Sequence, residues 1–220
     1  YELRRLGVPT QKVQLTADSV LTLPQEGKDL GKGLLNAFHV PENKMLIAIS
    51  VRKWQEDDSY LLELAKAADL LAEEYNAHIV LLPLQYPVDV EACRRLQHFM
   101  RQTAASTVLE TACDTEQFLS LMGNFDLLIG MRLHALIFAA VMELPFVAVS
   151  YDPKIDGFVK DINGINAGKV EELQAAQVVA AAHKALAPET SAHGMLDKLR
   201  AKALLNAQEA FELLSRGDVR

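Results

Sequence analysis

The sequence predicts an α/β fold in which a parallel sheet is flanked by helices, and three observations lead there. Short apolar, β-rich runs recur between residues 45 and 150. Amphipathic stretches long enough for helices separate them, which is the pattern of βαβ units. Several of the runs are apolar throughout instead of alternating, as strands buried on both faces must be.

Taken in order, the strands are expected at 45–51, 77–84, 107–110, 126–129 and 146–150. Residues 59–75 place Leu61, Leu62, Ala65, Ala68, Leu71 and Ala72 on one stripe of a helix, and 88–101 do the same with Val90, Cys93, Leu96 and Met100. A further helix starts near Arg132 and ends before Pro145; another spans 170–186 and is stopped by Pro188. The last helix, 191–215, is long and carries Leu196, Leu199, Leu204 and Leu205, which need a surface to cover. Asp57 and Asp58 fit the N-terminal cap of the 59–75 helix.

The pattern changes before residue 45. Residues 12–16 look like a strand remnant, and 23–33 combine Gly, Pro and charge as a linker would. The expected organisation is a remnant of a preceding domain at 1–23, a linker at 24–44, the α/β domain at 45–190 and the terminal helix at 191–220. The chain opens on Tyr1-Glu2-Leu3-Arg4-Arg5, which reads as a start inside a larger protein with no signal peptide.

Composition excludes several function classes. The 220 residues carry a formal net charge of -7, with no Lys/Arg cluster, whereas a nucleic-acid protein needs a basic face. Half of the residues are hydrophobic, yet the longest apolar runs fall far short of the roughly 20 residues that span a bilayer. The expected location is the cytoplasm, with the inner face of the membrane as a place of work. Cys93 and Cys113 show neither CxxC spacing nor metal-ligand offsets, so they are expected as reduced thiols, with no metal site.

Ligands of an open parallel sheet bind beyond the carboxyl ends of its strands. Residues just past the expected strands are Ser50, Arg52 and Lys53; Gln85 and Tyr86; Arg132 and His134; and Tyr151, Asp152 and Lys154. In an acidic chain, so many basic groups at one rim imply a small ligand bearing carboxylate or phosphate. Gly130-Met131-Arg132-Leu133-His134 is the sharpest feature, an apolar strand entering a helix through a glycine. There Gly130 would let backbone approach a ligand, helix amides would face it, and Arg132 would offer a planar fork. His134 could hold phosphate or deliver a proton. Taken alone, each of these residues reads as readily as a surface group.

Gly130-Met131-Arg132-Leu133-His134-Ala135, with Leu144-Pro145, Tyr151-Asp152-Pro153-Lys154 and Ile49-Ser50-Val51-Arg52, resembles the polysaccharide pyruvyltransferase family, especially its CsaB-like branch. The resemblance runs from about Asp18 to Leu186. It implies the Rossmann-like C-terminal domain of a GT-B-like fold, binding phosphoenolpyruvate as donor and needing no further cofactor. Arg132 and His134 inherit catalytic and donor-binding roles, and Arg52 and Lys154 donor binding; Ser50 and Tyr151 are added as substrate contacts. Asp18 is a low-ranked base. The acceptor would be a saccharide, lipid-linked in that branch, which allows peripheral membrane association of the full-length protein and self-association through the last helix. The acceptor-side domain is not among these residues, which puts activity of the chain alone in doubt. Rival readings are a nucleotide-sugar glycosyltransferase or epimerase of the same architecture, and a non-catalytic anion- or sugar-binding module.

Overall fold

A run that is apolar at every position can form a strand only if both faces of its sheet are covered, because successive side chains point to opposite sides. A computed structural model of the chain describes residues 2–187 and 193–215 and shows such a sheet. In chain order its elements are α1 (Glu2–Arg5), α2 (Asp29–Ala37), β1 (Leu46–Ser50), α3 (Ser59–Glu74), β2 (His78–Leu81), α4 (Val90–Phe99), β3 (Ser106–Val108) and α5 (Thr115–Met122). There follow β4 (Leu127–Gly130), α6 (Leu133–Val141), β5 (Phe146–Ser150), α7 (Pro153–Asp161), β6 (Ile165–Lys169), α8 (Ala175–Leu186) and α9 (His193–Ser215). All six strands are parallel, in the order β3-β2-β1-β4-β5-β6.

The two faces have separate cores. Ile47, Ile49, Ile79, Leu81, Leu127, Ile129, Val147 and Val149 meet the buried stripes of α3, α4 and α8. Their neighbours Leu46, Ala48, Val80, Leu82, Leu128 and Ala148 face α5, α6, α7 and the first half of α9. Strand order reverses between β1 and β4, where Ser50 pairs in register with Gly130 and the Met131 amide donates to the Ser50 carbonyl at 2.9 Å. That reversal opens the crevice in which such sheets place their ligands.

Several elements differ from expectation. Residues 24–44, read as a linker, hold α2, which packs on α5; Gly31 sits so close that an added Cβ would lie 2.5 Å from the Ser120 carbonyl oxygen. A glycine read as flexibility is thus a helix-crossing point. Residues 12–16 pair with no strand: Thr10–Lys12 is a 3-10 turn, and both sheet edges, β3 and β6, lie elsewhere. Leu21, in the stretch assigned to a preceding domain, is buried in this domain's core.

The last helix also divides. Leu196, Leu199 and Ala203 of α9 are buried in that same core, whereas Leu204, Phe211 and Leu214 are exposed. Ser191 and Pro188, the expected helix start and stop, lie outside the described residues. No described helix is long and apolar enough to cross a membrane.

Candidate functional site

A pocket of about 520 Å³ opens at the carboxyl edge of the sheet, beside the crevice between β1 and β4. Arg52, Arg132, His134, Tyr151 and Lys154 all line it, together with Leu84, Gln85, Cys113, Asp114, Thr115, Leu133, Phe118 and Phe138. The strand ends bring these groups together from distant parts of the chain, as the sequence rule requires. Phe118 and Phe138 stack with ring centroids 6.1 Å apart and give the pocket an apolar patch, with the His134 ring 6.4 Å from that of Phe138.

Arg132 is the N-cap of α6 and is mostly enclosed. Its Nε donates to Asp89 Oδ2 at 3.0 Å and its Nη2 donates to Asp89 Oδ1, a side-on, two-point pair. Asp89 is fully buried and its Oδ2 also accepts from the Gln85 amide at 2.9 Å. The fork expected to meet a ligand is therefore half engaged: one edge holds Asp89, and the Nη1/Nη2 edge remains.

Arg52 is held differently. Its Nη1 donates to the Tyr151 hydroxyl at 2.9 Å, and its Cζ lies 4.8 Å from the centroid of that ring. The Tyr60 hydroxyl donates to the Arg52 carbonyl at 2.6 Å, and Trp54 packs on Tyr151 with centroids 5.0 Å apart. Burial pushes the Tyr60 phenol up to about 12, so it remains a donor across the physiological range. Among the described residues no carboxylate pairs with Arg52, so its charge is the least compensated at the rim.

His134 is half-exposed, with Nε2 3.6 Å from Asp18 Oδ2, while Asp18 Oδ1 accepts from the Val20 amide at 3.0 Å. Lys154 lies in the first turn of α7, where Asp152 caps its amide at 2.9 Å and sits 3.8 Å from its ammonium. Of the helices that start at this edge, three line the pocket with their first turns: α5, α6 and α7. Asp114 forms a capping box on α5 and Asp152 caps α7, but Arg132 gives α6 no side-chain acceptor. Of these three, α6 is the one whose first amides have no side-chain cap, which favours an anion there.

Other expected residues fall outside. Ser50 is fully buried beneath the rim, with an Oγ that has no partner among the described residues. Lys53 turns away to Glu56 at 2.7 Å, and Tyr86 is exposed off the pocket. At Gly130 an added Cβ would lie 2.9 Å from Leu136 Cδ2, so the glycine lets α6 pack on β4. Asp57, not Asp58, accepts from the Ser59 amide, and Asp58 pairs with Arg95 instead. Burial, and then Asp114, raises the Cys113 thiol, which keeps it protonated rather than nucleophilic. No described group of three His, Cys, Asp or Glu is placed to hold a metal ion.

The residue that sequence reasoning missed is Asp89. Its only local signal was an acid at the head of an apolar helix on the carboxyl edge; its pairing with Arg132, 43 positions away, needs the fold.

The family profile described as polysaccharide pyruvyl transferase matches residues 1–153, which include β1 to β5, the pocket up to Tyr151 and the pair of arginines. The chain belongs to that family. No curated protein matches it closely enough to be a relative. As a member of the polysaccharide pyruvyl transferases it shares its fold with sugar-nucleotide enzymes. It is similar to UDP-GlcNAc 2-epimerase from Methanocaldococcus jannaschii at 12% identity and a TM-score of 0.62, covering 86% of this chain and 53% of that one. ADP-heptose lipopolysaccharide heptosyltransferase II from E. coli gives 15% and 0.61, with 76% and 54% covered. The chain therefore spans about half the length of these structures. The C-terminal domain of a group 1 glycosyl transferase from Francisella tularensis gives 16% and 0.52, with 84% of this chain and 93% of that domain covered. At such identities the likeness is one of fold, the Rossmann-like half of a GT-B-like architecture.

Proposed function

We propose that this chain binds phosphoenolpyruvate as the donor half of a pyruvyltransferase that forms a pyruvate ketal on a polysaccharide sugar. The observation that carries the reading is the pocket at the switch point, in which Arg52, the outer edge of Arg132, Lys154, His134 and the uncapped α6 amides gather in a chain of net charge -7. A ligand with a phosphate and a carboxylate on a three-carbon frame suits two arginines on neighbouring loops, and the Phe118/Phe138 side suits its methylene.

The chemistry requires a proton on the methylene carbon, which makes the adjacent carbon electrophilic. A sugar hydroxyl adds there and gives up its proton; phosphate then leaves with its bridging oxygen, and a second hydroxyl adds and loses its proton to close the ketal. One phosphoenolpyruvate and two hydroxyls become one ketal and one inorganic phosphate. Arg52 and Arg132 would hold the two anionic groups and offset charge on the departing phosphate, while His134 would supply the proton or bind phosphate. The sugar would come from the side of the pocket that these residues leave open, working in the cytoplasm on a cell-wall or exopolysaccharide precursor.

Calorimetric titration with phosphoenolpyruvate, pyruvate and UDP-GlcNAc tests the reading. Removing the phosphate removes charge-assisted bonds of about 1.5 to 3 kcal/mol each, so pyruvate should bind at least about tenfold more weakly. UDP-GlcNAc binding as tightly as phosphoenolpyruvate would move the assignment to a nucleotide-sugar enzyme.

A further inference from the structure

A guanidinium has two edges that can each make a two-point contact, and which edge is free decides how a planar anion must lie. In Arg132 the Nε/Nη2 edge is closed by Asp89, a carboxylate with no solvent exposure. Asp89 is itself fixed on every side. Its Oδ2 accepts from the Gln85 amide, its own amide donates to the Gln85 carbonyl at 2.9 Å, and its carbonyl accepts from the Cys93 amide at 3.1 Å in α4.

We propose that Asp89 is the positioning residue of the anion site: it holds Arg132 so that only the Nη1/Nη2 edge enters the pocket. The inference rests on the anion-binding reading above, but not on the identity of the donor. A fixed single edge orients an incoming carboxylate or phosphate in the guanidinium plane, and it removes the rotamer freedom that a long side chain would otherwise lose on binding. The buried carboxylate also neutralises Arg132. Its contribution is therefore direction and not attraction.

That distinction gives opposite signs to the two roles Asp89 could play. Taken as a charge alone, Asp89 opposes anion binding, and Asp89→Asn should tighten it. Taken as a positioning group, it aids binding, because Asn turns a donor toward one nitrogen of the fork and frees Arg132 to swing.

The experiment measures the Kd of phosphoenolpyruvate and, in parallel, of inorganic phosphate at fixed ionic strength. The proteins are the parent, Asp89→Asn, Arg132→Ala and the double variant, each checked for a cooperative melt. Asp89→Asn should weaken phosphoenolpyruvate on the order of tenfold, although it makes the site more positive. In the Arg132→Ala background the same change should cost nothing. Unchanged or tighter binding by a folded Asp89→Asn overturns the proposal, as does an equal loss with Arg132 absent.

If the parent takes phosphate but not phosphoenolpyruvate, the donor assignment fails and the phosphate series judges Asp89. Binding of neither anion overturns both. Should Asp89→Asn not fold, the ¹⁵Nε–H resonance of Arg132 in the parent decides. A slowly exchanging signal already present without ligand supports a held side chain, and a signal averaged by rapid exchange refutes it.

Discussion

Replacing Arg132 perturbs stability and binding together, and the sizes can be worked from its surroundings. Its side chain is 15% exposed and that of Asp89 1%, so Arg132→Ala leaves a carboxylate buried without its cation. Breaking a buried pair from one side costs about 3 to 5 kcal/mol, which for a chain of this size lowers Tm by about 6 to 20 °C. Arg132→Lys restores the charge. A single ammonium nitrogen cannot serve both Asp89 oxygens in the fork geometry, so about one charge-assisted bond of 1.5 to 3 kcal/mol is lost, or about 3 to 12 °C. For ligand the order changes: a lysine drawn to Asp89 has no second edge to offer, so the Lys variant should bind phosphoenolpyruvate nearly as poorly as the Ala variant. Leu133→Met, a volume-conserving change one residue on, should cost under about 1.5 kcal/mol and spare binding. Urea unfolding and calorimetry on the three variants read both quantities. An Arg132→Ala protein that unfolds like the parent would mean that the buried pair does not form in solution, and the reasoning on Arg132 would fail with it.

Further expectations concern other residues. Arg52→Ala should weaken phosphoenolpyruvate on the order of tenfold or more and flatten the salt dependence of its Kd, because Arg52 has no carboxylate partner among the described residues; Tyr151→Phe, which removes only its hydroxyl acceptor, should do less. Gly31→Ala would press a methyl into the α5 backbone at 2.5 Å and should destabilise by about 1 to 3 kcal/mol in urea unfolding, with ligand affinity of the folded protein unchanged. Burial, and then Lys44, lowers the pKa of His78 in the folded chain. The unfolded chain, with its histidine near about 6.5, therefore takes up a proton that the native state resists, so stability should fall as pH drops below that value. His78→Gln should reduce that slope between pH 7.5 and 5.5, and identical slopes in parent and variant would remove His78 as its source.

Five of the six strands were legible, β3 among them, and four as apolar runs, because burial on both faces leaves no room for polar residues in Leu46–Ser50, His78–Leu81, Leu127–Gly130 or Phe146–Ser150 beyond their ends. β6 escaped for the opposite reason. It is an edge strand in which only Ala167 of Ile165-Asn166-Ala167-Gly168-Lys169 is buried, with Gly168 at a φ of 129°. α5 and α7 are helices of eight and nine residues with little periodicity to see; their signals were the Asp114/Gln117 box and the Asp152-Pro153 start, and the latter was spent on a ligand role. Of the pocket, the basic wall was legible because each residue follows a strand end. Its supports were not, since Asp89 and Tyr60 act through groups 43 and 8 positions away and only the folded chain brings them there.

The strand order gives those supports a mechanical meaning. β1 and β2 lie on one side of the reversal, β4 and β5 on the other. Arg52 leaves β1 and is held by Tyr151 from beyond β5; Arg132 leaves β4 and is held by Asp89 from beyond β2. The two contacts thus cross above the gap like the ties of a corset, each joining one half-sheet to the other through a side chain that also lines the pocket. Spreading the halves would slacken both ties at once, and an anion gripped by both arginines would draw them closed. The two half-sheets are thus joined by these four side chains as well as by the β1–β4 backbone ladder, so a change in the Gln85–Asp89 loop would reach the far wall through Arg132.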